Sequence, residues 1–204
     1  MDMEYTSLSI DWESVIPGLV AGLVTGACMW IALLIQYKNE RDLRDQKEEA
    51  EIAAFVHAVM TEVETLWETY YEGAGKRLEA LEKGKAFMYF YPINEDYFTV
   101  YNANAFLIGR VENPRLRRTI VESYTRARGL IDSFRLNNDM VQKWNHLDLM
   151  RQDSQNPVLV HMMWMQEQSL VHHAVKLREI HHQMKESVER LLQIAKTTRV
   201  KPQA

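Results

Sequence analysis

Three patterns of hydrophobic and polar residues follow one another along the chain. Residues 15–35 are an uninterrupted run of 21 uncharged, mostly apolar residues. Residues 38–51 are dense in charges of both signs, and from Ile52 onwards apolar residues recur three and four positions apart. That spacing places apolar side chains on one face of a helix. The pattern therefore predicts an apolar helix, a charged helical neck at 38–51, and a set of packed helices.

The apolar run has the length of a membrane span. A helix of this length covers about 32 Å, which is roughly the hydrocarbon thickness of a bilayer. A buried core helix is usually shorter and amphipathic, and a signal peptide starts with positive charges, whereas the residues before this run are acidic. The sequence therefore predicts a transmembrane helix at 15–37, with the lipid bilayer as a partner.

Basic residues flank only one end of this helix. Lys38, Arg41, Arg44 and Lys47 follow it, and no Lys or Arg precedes it. Positive charge close to a span favours the cytoplasmic side. We therefore expect a single-pass protein of a bacterial inner (plasma) membrane, with a short acidic tail at 1–14 outside and the C-terminal domain in the cytoplasm.

Glycines repeat every fourth residue within the span, at Gly18, Gly22 and Gly26. Small residues at this spacing let a second helix approach closely in lipid, so they predict helix packing and a homo-oligomer. Glycine is common in membrane helices, and chance spacing is the alternative. The span contains no charged residue, so it indicates no ion or proton pathway.

The remaining pattern predicts an all-α helical bundle at 52–196. Glycine, proline and capping residues divide this part into helices and one loop. The helix of the neck continues as far as Gly73 and Gly75, and a short helix follows and ends at Gly84. After an aromatic loop at 85–97, we expect a helix at 98–109 and another from Asn113-Pro114 to Asn137 or Met150. The fold class expected is an N-terminal transmembrane helix that continues into a cytoplasmic antiparallel bundle with a long C-terminal helix.

The last predicted helix runs from Pro157 to Lys196, and residues 197–204 are expected to be a flexible tail. Its heptad seam consists of Met163, Glu167, Leu170, Ala174, Leu177, His181, Met184, Val188, Leu191 and Ala195. Such a seam packs either inside an antiparallel bundle or between two chains. We favour packing within the chain.

Charge and cysteine content narrow the class of protein. The chain has 28 acidic and 24 basic residues, and four of the acids precede residue 38, so the rest is neutral. A neutral domain argues against nucleic acid as a partner, because phosphate binding needs a basic surface. The lone Cys28 offers no intramolecular disulfide, as suits a reducing compartment.

No constellation of residues indicates catalysis. The five histidines of the last helix are at 161, 172, 173, 181 and 182, and no two are three or four residues apart, as ligands on one helix face would be. A nucleophile motif, a phosphate loop and a metalloprotease motif are missing as well. We therefore expect no enzyme activity, no cofactor and no metal.

Two groups of residues form a candidate partner or ligand surface. Aromatic residues crowd around Pro92, and arginines cluster at the start of the following helix. The residues singled out are Tyr89, Tyr91, Tyr97, Tyr101, Arg115 and Arg118. The alternatives are a loop that caps the core and a solvated basic face.

Three segments carry a resemblance to known proteins. They are Tyr91-Pro92-Ile93, Leu107-Ile108-Gly109 before Asn113-Pro114, and the stretch 124–134. With the span and neck, they resemble a recurrent set of small, uncharacterised bacterial proteins that have one N-terminal transmembrane helix and a cytoplasmic helical domain. The resemblance covers about residues 15–140 and implies a membrane-anchored helical protein without naming an activity.

The function expected from the sequence is protein interaction or self-assembly by the cytoplasmic domain. The alternative is an effector of a stress or phage-defence response, which would perturb the membrane after assembly through the glycine face of the span.

Overall fold

The computed structural model describes residues 12–93, 96–154 and 156–198, and within them it is helical and has no strand. The helices are α1 (Trp12–Tyr70), α2 (Lys76–Ala80), α3 (Thr99–Ala103), α4 (Pro114–Asp153) and α5 (Pro157–Thr198). A π-helical turn, Tyr71–Gly75, joins α1 to α2, and a 3-10 helix, Ala105–Arg110, precedes α4. The predicted all-α fold class, with a long first and a long last helix, is confirmed.

The chain divides into two compact units, and the boundary lies between Glu51 and Ile52. In the first unit every described side chain is exposed to the surroundings. Among the described residues, this part of α1 is the one helix that is long and apolar enough to cross a membrane. Its Thr25 hydroxyl donates to the carbonyl of Ala21 at 2.8 Å, so this polar group is satisfied inside the helix.

In the second unit, α4 and α5 pack as an antiparallel pair, and α1 lies beside both. Three hydrogen bonds join the two helices, between Ser123 and Ser187, Ser133 and His173, and Met140 and Gln166. The residue numbers rise along α4 while they fall along α5, so the two helices are antiparallel. The contacts Glu62–Tyr124 and Tyr70–Phe134 show that α1 runs parallel to α4. The residues from Ile52 to Tyr70 therefore lie along the first half of α4 and the second half of α5.

The core contains the heptad seam predicted for the last helix. All seam residues from Leu170 to Ala195 are buried. The seam therefore packs within the chain. Met163 is half-buried and Glu167 is exposed, so the buried part of the seam begins only at Leu170.

Several boundaries differ from the prediction. The helix expected at 98–109 is two pieces, since the Asn104 side chain bonds to the carbonyl of Val100 at 2.9 Å and the chain turns there. Helix α4 ends at Asp153, three residues beyond Met150, and α5 extends two residues beyond Lys196. Helix α1 begins at Trp12, inside the predicted acidic tail, and the rest of that tail and residues 199–204 lie outside the described residues.

Candidate functional site

A buried hydrogen-bond network joins the end of α1 to α2 and α5. The hydroxyl of Tyr70 lies 2.7 Å from Nδ1 of His181, and Nε2 of His181 lies 3.1 Å from Oε1 of Glu79. His181 is only 3% exposed, so both ring nitrogens need partners inside the protein. An ionised carboxylate can only accept, so Nε2 carries the proton and Nδ1 accepts from the Tyr70 hydroxyl.

Glu79 holds the outer end of this network. Its Oε1 also accepts from Nζ of Lys185 at 3.0 Å, and its Oε2 accepts from the hydroxyl of Tyr71 at 2.9 Å. The hydrogen bond from His181, with those from Lys185 and Tyr71, lowers the pKa of Glu79 to about 2. The carboxylate is therefore ionised at neutral pH and links α2 to α5.

The other members of the network keep their ordinary protonation states. Burial lowers the pKa of His181, so its imidazole is neutral, although Glu79 acts in the opposite direction. Burial raises the pKa of Tyr70, and the hydrogen bond to Glu79 raises the pKa of Tyr71 and of Lys185.

These pKa shifts suit a structural link better than proton transfer. A general acid or base works best with a pKa close to the operating pH, whereas Tyr70, Lys185 and Glu79 are all shifted away from neutrality. Among the described residues, no three His, Cys, Asp or Glu side chains are grouped so that they could hold a metal ion.

The π-helical turn between α1 and α2 packs closely against residues of this network. A Cβ atom at Gly75 would lie 2.8 Å from the Tyr71 ring and 3.3 Å from Cε1 of His181. A Cβ atom at Gly73 would lie 3.0 Å from the Tyr91 ring. Single π-turns inside helices are often found at functional sites. The two glycines do not end the helix here; they allow aromatic rings to pack directly on its backbone.

The aromatic loop is attached to α4 by two asparagines. The side chain of Asn138 accepts from the Tyr91 N–H at 3.0 Å and donates to the Tyr91 carbonyl at 2.7 Å. Asn137 donates to the carbonyl of Tyr89 at 3.0 Å. These side-chain amides supply hydrogen bonds to the loop backbone of the kind that a neighbouring strand would supply. The two adjacent asparagines in the middle of a helix are the sequence signal for this attachment, and the predicted surface did not include them.

Glu62 of α1 organises the segment that follows the loop. Its carboxylate accepts from the backbone N–H groups of Val100 at 2.8 Å and Tyr101 at 3.2 Å, and from the hydroxyl of Tyr124 at 2.6 Å. It therefore replaces the missing side-chain cap of α3, which begins after Phe98, and the φ of 69° at Phe98 is unusual for a residue with a side chain.

The loop and this segment close over an apolar crevice of about 70 Å³ in the second unit. Its aromatic lining consists of Trp67, Tyr70, Tyr91, Tyr97 and Phe98. Pockets for drug-sized ligands measure about 300–1,000 Å³. The crevice has room for one small apolar group.

The residues predicted as a partner or ligand surface lie in four places. Tyr91 and Tyr97 line the crevice. Tyr101 stacks on Tyr124 with ring centroids 3.9 Å apart, and Tyr89 lies under the guanidinium group of Arg77 at 4.8 Å.

The two arginines of that predicted surface lie in the first turns of α4. Arg115 is exposed, and Arg118 forms an ion pair with Glu122 at 2.7 Å. The aromatic residues and the arginines therefore do not form one continuous surface.

The largest concentration of exposed apolar side chains in the second unit lies at the end of the α4–α5 hairpin. Each of these side chains is between 43% and 61% exposed. They are Leu149, Met150, Val158, Val160, Met162, Trp164 and Met165. Apolar groups gathered in this way usually mark an interaction site.

The glycine face of the first unit is also uncovered. A Cβ atom at Gly18, Gly22 or Gly26 would meet no other atom within 4 Å. Nothing described in the chain packs on this face.

No known protein family, curated protein or solved structure matches this chain.

Proposed function

We propose that this chain is a membrane-anchored interaction protein of the bacterial inner membrane. The apolar part of α1 crosses the bilayer, and the cytoplasmic bundle binds a protein through the end of the α4–α5 hairpin. The observation that carries this proposal is the group of exposed apolar side chains at 149–165. A helix that is apolar on several faces is normally covered by other helices.

The polar network supports a binding role over a catalytic one. Burial keeps Tyr70 protonated and His181 neutral, and hydrogen bonds keep Glu79 ionised, so none of them favours proton transfer at neutral pH. They fix α2 against α5, and the asparagines of α4 fix the aromatic loop. The bundle is therefore a rigid support for the hairpin, and we propose no enzyme activity, cofactor or metal.

The test is cross-linking of the full-length chain in membranes with an amine-reactive linker. A variant with Met162→Glu and Met165→Glu places two charges on the exposed apolar surface, so the cross-linked complexes should be lost. Gln193→Glu adds a charge at an exposed position near the end of α5 and should leave them unchanged. Complexes that survive the double substitution would contradict the proposal.

A second candidate function is a membrane-perturbing effector assembled through the span. The open face at Gly18, Gly22 and Gly26 favours it, because helices approach closely in lipid where side chains are small. Gly22→Leu should weaken association of the span and abolish any growth defect or dye leakage on overexpression. Ala27→Leu adds the same side chain about 140° away from Gly22 around the helix and serves as the control. Equal effects of the two substitutions would remove the support for this candidate.

A further inference from the structure

The first half of α5 carries a second heptad pattern on its exposed side. Its members follow each other at spacings of four, three, four and three residues, and all of them are exposed. They are Val158, Met162, Met165, Ser169 and His172. This spacing is the one by which helices pack along a seam. The seam that faces α4 is a different one, which includes Met163 and Leu170.

This part of the hairpin lacks the third helix that covers the rest of the bundle. Helix α1 ends at Tyr70, beside Phe134 and His181. Within the described residues, no hydrogen bond or ring contact joins 139–153 or 157–172 to anything other than α4, α5 and the turn between them. Two helices alone leave their outer faces to solvent, whereas a four-helix bundle covers them.

The exposed seam is almost free of charge. The 19 residues from Pro157 to Val175 contain one charged side chain, Glu167. At 3.6 residues per turn, Glu167 lies about 160° away from Met165 around the helix, on the opposite side from the seam. The next heptad position after His172 is Lys176, so the uncharged stretch ends there.

An uncharged seam is what a parallel contact between identical helices requires. In such a contact each residue faces its own copy across a two-fold axis, so any charge on the seam would meet a like charge. The groove next to the seam, between Leu136 and Met140 of α4 and Met165 of α5, can receive the side chains of the other copy.

We propose that the partner at the hairpin end is a second copy of this chain, which packs its own exposed heptad of α5 on this one in a parallel, two-fold contact. The proposal rests on the function proposed above and names its partner. The contact covers Val158 to His172 and ends before Lys176. Two hairpins together then form a four-helix bundle over the stretch where α1 is missing.

Cysteine cross-linking of the full-length chain in membranes tests this contact. In a Cys28→Ser background, Met165→Cys should form a disulfide-linked dimer on mild oxidation, because the two copies of residue 165 face each other. Glu167→Cys is the matched control: it is exposed, two residues away and on the other side of the helix, and should give about tenfold less dimer. No dimer at residue 165, or equal dimer at both positions, would overturn the contact.

A second substitution and a photoreactive probe separate the remaining outcomes. Ser169→Cys should also form a dimer, since a parallel contact brings together every position of the seam, whereas an antiparallel contact would not join both 165 and 169. A photoreactive residue at Met162 should yield an adduct of twice the mass of the chain. An adduct with another protein alone would overturn the second copy and leave the proposed function standing, and no adduct of either kind would contradict both.

Discussion

Removal of the Glu62 carboxylate should destabilise the second unit by about 1.5–5 kcal/mol. In Glu62→Ala the Tyr124 hydroxyl, which belongs to a buried residue, loses its acceptor, and a buried group without a partner costs about 1–3 kcal/mol. The N–H groups of Val100 and Tyr101 lose the carboxylate that caps α3, and the loss of a helix cap costs about 0.5–2 kcal/mol. The bond from the exposed Thr99 adds little.

A double-mutant cycle isolates the contact between Glu62 and Tyr124. Tyr124→Phe removes the hydroxyl while the carboxylate keeps its other donors, so the coupling energy should be about 1.5–3 kcal/mol, as for hydrogen bonds to a charged group. The assay is urea unfolding of the full-length chain in detergent micelles, followed by tryptophan fluorescence. Glu64→Ala, two residues away and exposed, should stay within about 0.5 kcal/mol of the parent. A coupling energy near zero would refute the role given to Glu62.

Three further predictions concern the network, the π-turn and the topology. Because burial lowers the pKa of His181, the unfolded chain takes up its proton first, so stability should fall as the pH drops below about 6.5, with a slope of up to about 1.4 kcal/mol per pH unit. His181→Gln should remove this part of the pH dependence of urea unfolding, and His182→Gln, at an exposed site, should not. Gly75→Ala should lower the free energy of unfolding by about 1–3 kcal/mol in the same assay, because the added Cβ meets the Tyr71 ring. Gly129→Ala is the control: its Cβ would meet nothing within 4 Å, so it should raise the free energy of unfolding by about 0.5–1 kcal/mol. Equal effects of the two substitutions would contradict the close packing at the turn. A reporter fused after Ala204 should show cytoplasmic activity, and periplasmic activity would overturn the proposed orientation.

The long helices could be predicted from the sequence because their signals are local. Asn113 caps α4 through its side chain, which accepts from the N–H groups of Arg115 and Leu116, and Pro114 follows it as expected. Pro157 begins α5 in the same way, after Asn156, whose side chain accepts from the N–H of Val158. Apolar spacing also identified the buried seam of α5, since that spacing depends only on the helix period.

The contacts of the candidate site could not be predicted, because their partners are far apart in the chain. Tyr70 and His181 are separated by 111 positions, and Glu62 and Tyr124 by 62. Each of these residues sits on a helix face where a solvated or core position was an equally good interpretation. The π-turn was interpreted as a helix end because glycine weakens helices, and only the nearby aromatic rings show why glycine is needed there.

The asparagine attachment of the aromatic loop has a consequence for amide hydrogen exchange. The N–H of Tyr91 lies in a segment without regular secondary structure, yet its hydrogen bond ends on the side chain of Asn138 in the middle of α4. Its exchange with solvent therefore requires either rotation of that side chain or local opening of α4. The amide of Tyr91 should accordingly exchange more slowly than the amides of a surface loop, at a rate set by the easier of these two openings.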